Sequence, residues 1–149
     1  MKYLLDTCLL SELIKSEPNP AVLAWVNERS DLDLFTAAMV LAELHRGVAK
    51  LPTSRRKQDL SAWLIKLQNS FDTRVLPFTV QTAEHWAAMC ARAEGMGKTI
   101  AAFDSIIAAC ALENGLTLVT RNVQDFTFTS VLIVNPWESQ EPMLSGSAL

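Results

Sequence analysis

The sequence predicts a single three-layer α/β/α domain, with helices on both sides of a mostly parallel sheet of about five strands. Short apolar runs alternate along the chain with longer stretches in which apolar residues recur at helical spacing. The runs Leu116–Thr120 and Val131–Val134 are apolar almost throughout, the pattern of parallel strands buried on both faces. With 149 residues, 50% of them hydrophobic, the chain suits one core that buries roughly two-thirds of its unfolded surface.

Lys2–Leu5 reads as a short buried strand that stops at Asp6. Thr7–Lys15 then carries Leu9, Leu10, Leu13 and Ile14 at helical spacing, until Glu17-Pro18-Asn19-Pro20 ends it. A second helix starts at Pro20, where proline suits the first turn, and runs to Arg29–Ser30 on Val22, Leu23, Trp25 and Val26. Leu32, Leu34 and Phe35 alternate as a strand, and Thr36 opens a third helix that reaches Lys50. After the break at Leu51–Ser54, a helix to about Phe71 places Leu60, Trp63, Leu64 and Leu67 on one face and positive charge on the other. Arg74–Phe78 gives another strand, and Thr79–Gly97 a helix with Ala83, Trp86, Ala87 and Cys90 inward. Thr99–Asn114 is apolar nearly all round, which marks a buried helix closed by Gly115. A polar loop, Arg121–Phe126, separates the last two strands. The domain is expected to span residues 1–137, with 138–149 a flexible C-terminal tail.

Three acids stand where acids are costly. Asp6 directly follows a buried strand, at the sheet edge where open α/β folds place ligands, although an N-terminal helix cap is an equal reading of it alone. Glu43 ends the apolar run from Ala37, and Asp104 interrupts the buried helix near its start. If the three converge, each close pair repels by up to ~4 kcal/mol at an effective dielectric near 20. A cation is required to offset that, and hard oxygen donors favour Mg²⁺ or Mn²⁺. The chemistry implied is metal-assisted hydrolysis of a phosphodiester.

The net charge of −3 argues against a general nucleic-acid binder, but the segment from Leu44 to Lys66 carries six bases against Asp59 alone. Its run Arg55-Arg56-Lys57 reads as a solvated helix face or as a grip on a phosphate backbone. Cys8, Cys90 and Cys110 show no metal spacing and read as reduced core thiols. His45 and His85 are too isolated for a zinc site or a nucleophile's base. No apolar stretch approaches a membrane span, and Asp6 breaks the first run too early for a signal peptide, so a cytoplasmic protein is expected. A phosphoaspartyl phosphatase of the haloacid dehalogenase type would want an acid where Cys8 stands, and a receiver domain would want paired early acids and a late lysine. A non-catalytic binding module is the other alternative.

Asp6 in LLDTCLLSEL, Glu43 in AAMVLAELHRGV, Asp104 in IAAFDSIIAACALENGLTLVTRNVQDF and the closing VNPW resemble the PIN-domain ribonuclease toxins of the VapC type, a family in which a FitB-like subgroup is one branch. The resemblance covers Lys2 to Trp137. It implies a cytoplasmic, Mg²⁺-dependent endoribonuclease, usually a homodimer, whose cognate VapB-type antitoxin occludes the acidic pocket and whose free form stops translation. Asp6, Glu43 and Asp104 match the family's metal-binding acids. Asn122 stands where many members have a fourth acid, and Asp125 in the same loop could supply that charge. Thr7 matches a small polar residue that orients the site, and Glu12 a position found in these toxins that a solvent-exposed helix glutamate explains equally well. Arg46 and Arg121, with Arg55, Arg56 and Lys57, are candidate contacts to RNA or antitoxin.

Overall fold

The computed structural model describes residues 1–144. In chain order the elements are β1 (Tyr3–Leu5), α1 (Thr7–Leu13), α2 (Pro20–Asn27), β2 (Leu34–Ala37), α3 (Ala38–Ala49), α4 (Arg55–Phe71), β3 (Val75–Leu76), α5 (Val80–Gly95), α6 (Ala102–Glu113), β4 (Thr117–Val119), β5 (Leu132–Val134) and β6 (Met143–Leu144). The strands form one sheet in the order β3-β2-β1-β4-β5-β6, parallel except for the last pair.

The order decides where a site can form. From β1 the chain steps outward to β2 and β3, then crosses back to β4 on the other side of β1. Right-handed crossovers put the helices of the outward and return paths on opposite faces of the sheet. The reversal opens a crevice at the carboxyl ends of β1 and β4, which is where such sheets take ligands.

The core lies along the two strands that flank this crevice. Leu4 packs level with Leu118, and Leu5 with Val119, all essentially out of solvent. The buried Trp25 of α2 meets Tyr3 edge-on, with ring centroids 4.8 Å apart, and Arg29 covers the indole at 3.8 Å. In α6, Ile107 to Ala111 are buried in succession, as expected of a helix that is apolar all round.

Several sequence-based boundaries shift for local reasons. Leu32 lies in a 3-10 turn, Asp31–Asp33, and is 72% exposed, so β2 starts two residues later and takes in Thr36, whose hydroxyl donates to the Leu5 carbonyl. In α5 the buried positions are Thr82, Met89 and Ala93, not Trp86 and Ala87. The Thr79 capping box fixes that register, and Glu113 of α6 accepts from the Thr82 hydroxyl. The sheet has a sixth strand, because Met143–Leu144 pairs antiparallel to β5 within what reads as a structureless tail. The remainder of that expected tail, residues 145–149, lies outside the described residues. Among the described residues no helix is long and apolar enough to cross a membrane.

Glu12 is not the solvent-exposed helix acid that its spacing suggests. It is 5% exposed, pairs with Lys15 at 3.0 Å and accepts the Asn19 backbone N–H at 3.1 Å, tying the end of α1 to the start of α2. The Lys15 bond, followed by the Asn19 bond and a contact from Trp137, holds its carboxyl below the ordinary value of 4.5 despite burial. A depressed carboxyl contributes stability above its unfolded pKa and loses it as the pH falls through the folded one. Glu12→Gln is therefore expected to lower the thermal midpoint at pH 7, with a gap that closes in melts taken progressively below pH 4.5.

Candidate active site

Asp6 directly follows β1 and caps α1. Its Oδ1 accepts the Thr7 N–H at 2.8 Å, while Oδ2 accepts the Thr120 hydroxyl at 2.8 Å and lies 3.8 Å from the Cys8 thiol. Thr120 directly follows β4, and its Oγ1 also accepts the Asn122 N–H at 3.0 Å, which holds the following loop against Asp6. On the other side, Thr7 donates its hydroxyl to Glu43 Oε1 at 3.1 Å and so connects α1 to α3.

Four carboxylates share one field here. Burial, the largest effect, pushes Asp6 upward against its three hydrogen bonds, and the charge of Asp125 adds to the rise. Burial raises Glu43 too, partly opposed by Thr7 and Arg46, with Asp6 adding to it. Asp104, in the first turn of α6, is pushed up to about 6 by burial and then by Asp6, Asp125 and Glu43. The acid in the loop that joins the group is thus Asp125, in the 3-10 turn Val123–Phe126, whereas the recorded bond of Asn122 is from its backbone. Among the described residues no three acid, thiol or imidazole groups make a preformed metal cage. The four acids are coupled through their charges, and all their donors are oxygens, the donor type of a hard divalent cation.

The basic candidates divide. Arg46, one turn beyond Glu43 and within its field, stacks over Phe103 at 5.3 Å, and Arg121 over Trp137 at 5.6 Å. Arg56 lines a groove that begins at Thr7 and Glu43 and runs past Gly47 to Trp63. Arg55 faces solvent with Asp59 at 4.0 Å, a pair too exposed to matter for stability. Lys57 is not free for a ligand, because its ammonium donates to the Ala49 and Leu51 carbonyls at 3.2 and 3.1 Å.

Two site residues escape the sequence reading. Cys8 is only half-buried and lies 3.3 Å from Thr120 rather than in the core. Thr120 could have been found by the rule that finds Asp6, since both are polar residues that directly follow a buried strand. Both histidines lie away from the acids, on Gln68 and on the Gln81 carbonyl.

A raised carboxyl pKa means that the native state holds its proton longer, so stability falls as the pH rises between the unfolded and folded values. For Asp104 that window runs from 3.8 to about 6. With chelator present at pH 8, Asp104→Asn is expected to raise stability by roughly 1 kcal/mol, a figure discounted for its half-exposed carboxylate. Urea melts of the two proteins check this, and equal midpoints would mean that neither burial nor the neighbouring acids disfavour the Asp104 charge.

Comparison with known proteins places this arrangement. The PIN domain model matches residues 3–127. Toxin FitB of Neisseria gonorrhoeae is 37% identical over 138 residues, covering 90% of this chain and 97% of the relative. A protein named VapC ribonuclease Y4jK, of Sinorhizobium fredii, is 36% identical over 135 residues, covering 90% and 96%. The solved FitAcB complex of Neisseria gonorrhoeae superposes with a TM-score of 0.87 at 36% identity, covering 92% of this chain and 99% of that one. A DNA-bound VapBC complex of Salmonella typhimurium shares the fold, with a TM-score of 0.76 at 23% identity, covering 91% and 98%. By its domain, its site and these relatives, the chain belongs to the PIN-domain family, in the branch of VapC- and FitB-type toxins.

Proposed function

We propose that this chain is a divalent-metal-dependent endoribonuclease toxin that hydrolyses RNA phosphodiester bonds, inhibits translation when free, and is silenced by a cognate VapB-type antitoxin over its acidic pocket. The observation that carries the reading is the gathering of Asp6, Glu43 and Asp104 within one another's fields at the carboxyl ends of β1 and β4, with the charge of Asp125 acting on Asp6 and Asp104. A buried acid beside further acids that repel it is a poor structural device and a good cation site. The names support the substrate: a relative in Shigella flexneri, 28% identical over 142 residues, is called a tRNA(fMet)-specific endonuclease. The partner is supported by solved relatives that are toxin–antitoxin complexes.

The four acids would hold Mg²⁺, or Mn²⁺ in its place, with Asn122 as a further oxygen donor of the same loop. Such an ion supplies charge that polarises the phosphodiester and lowers the pKa of an attacking water. The chain's own part is preorganisation. Thr120 fixes Asp6 and Thr7 fixes Glu43, so neither carboxylate has to reorient when the site fills. Arg46 and Arg121, each over an aromatic ring, would meet backbone phosphates on this reading.

Purified protein free of partner is expected to cut a structured RNA pool with Mg²⁺, to stop in EDTA, and to leave 5′-phosphate and 3′-hydroxyl ends. Asp6→Asn and Asp104→Asn should lose at least about 100-fold in rate while remaining folded. Products that end in a cyclic phosphate, or full activity in either variant, would falsify the assignment. Among the basic residues, Arg55→Ala with Arg56→Ala should flatten the salt dependence of RNA binding by about two in log–log slope if both meet phosphates. Lys57→Ala should instead lower the thermal midpoint, because its bonds close the α3–α4 turn.

A further inference from the structure

A cleft beside the acids is lined by Asp104 and Asp125 together with Lys98, Ile100, Gln124 and Phe128. The Phe128 ring is 38% exposed and lies under the Lys98 ammonium at 5.6 Å. Its backbone has φ +77°, a left-handed conformation that a bulky side chain adopts only when its surroundings impose it.

Both halves of this pair are held in place. Phe126 is fully buried, Thr127 donates its hydroxyl to the Gln124 carbonyl at 2.8 Å, and the Val131 N–H donates to the Thr129 hydroxyl at 3.3 Å, so the turn that carries Phe128 is pinned from both ends. Lys98 follows Gly97, at φ +74°, and its N–H donates to the Ala93 carbonyl at 2.9 Å, the closing turn of α5. Two separate segments thus bring a cation and a strained, exposed aromatic ring to the wall shared with two of the acids.

The pairing selects its ligand. A metal ion has no use for the ring, and an apolar ligand has none for Lys98 beside two carboxylates. An unpaired nucleotide uses both, since its base offers a flat π-face and its phosphate a negative charge. Bases within a duplex are already stacked on their neighbours and cannot present that face.

We propose that Phe128 is a stacking platform for one unpaired RNA base next to the bond that is cut, and that Lys98 meets an adjoining phosphate. The proposal rests on the nuclease reading and narrows it to substrates that are single-stranded at that point. A base on the ring replaces the exposed cation–π contact, which is the weaker of the two, and frees the ammonium for the phosphate.

The test uses a short single-stranded RNA carrying 2-aminopurine, bound with Mg²⁺ to the non-cutting Asp6→Asn protein, with the same strand annealed to its complement as control. The single strand should be quenched on binding and preferred over the duplex. Adding Phe128→Gly should abolish the quench and weaken binding about tenfold, while Phe128→Trp keeps both. Glycine adopts positive φ without strain, so Phe128→Gly should melt no lower than its parent and weak binding cannot be laid to unfolding. An undiminished quench and affinity in Phe128→Gly, or equal affinity for strand and duplex, overturns the proposal. With Asp6 restored, metal-dependent cleavage that Phe128→Gly leaves unchanged also overturns the platform and leaves the nuclease reading standing. A quench that needs Phe128 in a protein that never cuts RNA sinks the nuclease reading and keeps the platform.

Discussion

The hydrogen bond from Thr120 to Asp6, enclosed at the ends of β4 and β1, is the contact on which the rest of the site depends. The sheet order separates these strands by most of the chain and brings them side by side. From that bond a continuous path runs both ways. Thr120 holds Asn122 and the loop with Asp125, while Asp6 caps Thr7, which in turn orients Glu43 on α3. The bonds to the Asp6 and Glu43 carboxylates in this path are of the charged kind, worth roughly 1.5–3 kcal/mol each, and those from Thr120 and Thr7 join β4 to β1 and α1 to α3.

That path is also what makes the acid cluster tolerable. Burial raises Asp6, Glu43 and Asp104 together, and each charge makes the next harder to keep. The opposing contributions are local: three hydrogen bonds on Asp6, and one bond with the nearby Arg46 on Glu43. Asp104, for which burial and three neighbouring acids all act upward, is the least compensated member. A cation at this crevice would oppose these repulsions, because each carboxylate would then gain an attraction. Ligand binding and folding stability are therefore linked through the same four side chains.

The sheet, the six helices and the three widely spaced acids were legible because each rests on a local signal: apolar runs, helical spacing, and a carboxylate where the run predicts a hydrocarbon. What stayed hidden depends on tertiary contact. The inward face of α5 could not be read from Trp86 and Ala87, because the Trp86 indole N–H donates to Ser105 of α6 and the helix turns Met89 inward instead. β6 is too short to leave a pattern and exists only because β5 offers it an edge. Glu12 looks like a surface acid until Asn19 and Lys15 fold over it. Asn122 and Asp125 are one turn apart in the same loop, so composition alone does not say which of them faces the other acids.

Several residues that break local rules lie together near the carboxyl ends of β1 and β4, and that grouping is itself an argument. Asp6 and Thr120 are polar groups at the ends of apolar strands, Asp104 is a carboxylate in an otherwise apolar helix, and Phe128 is an aromatic both exposed and at positive φ. Distributed over the molecule, such conflicts would each lower stability and count as separate defects of the fold. Gathered around one crevice, they mark the place where the chain gives up local consistency for a shaped and charged surface. The acids alone require only a cation. The ring beside them, on the reading proposed above, would take something flat, and an RNA strand would supply both the charge and the plane.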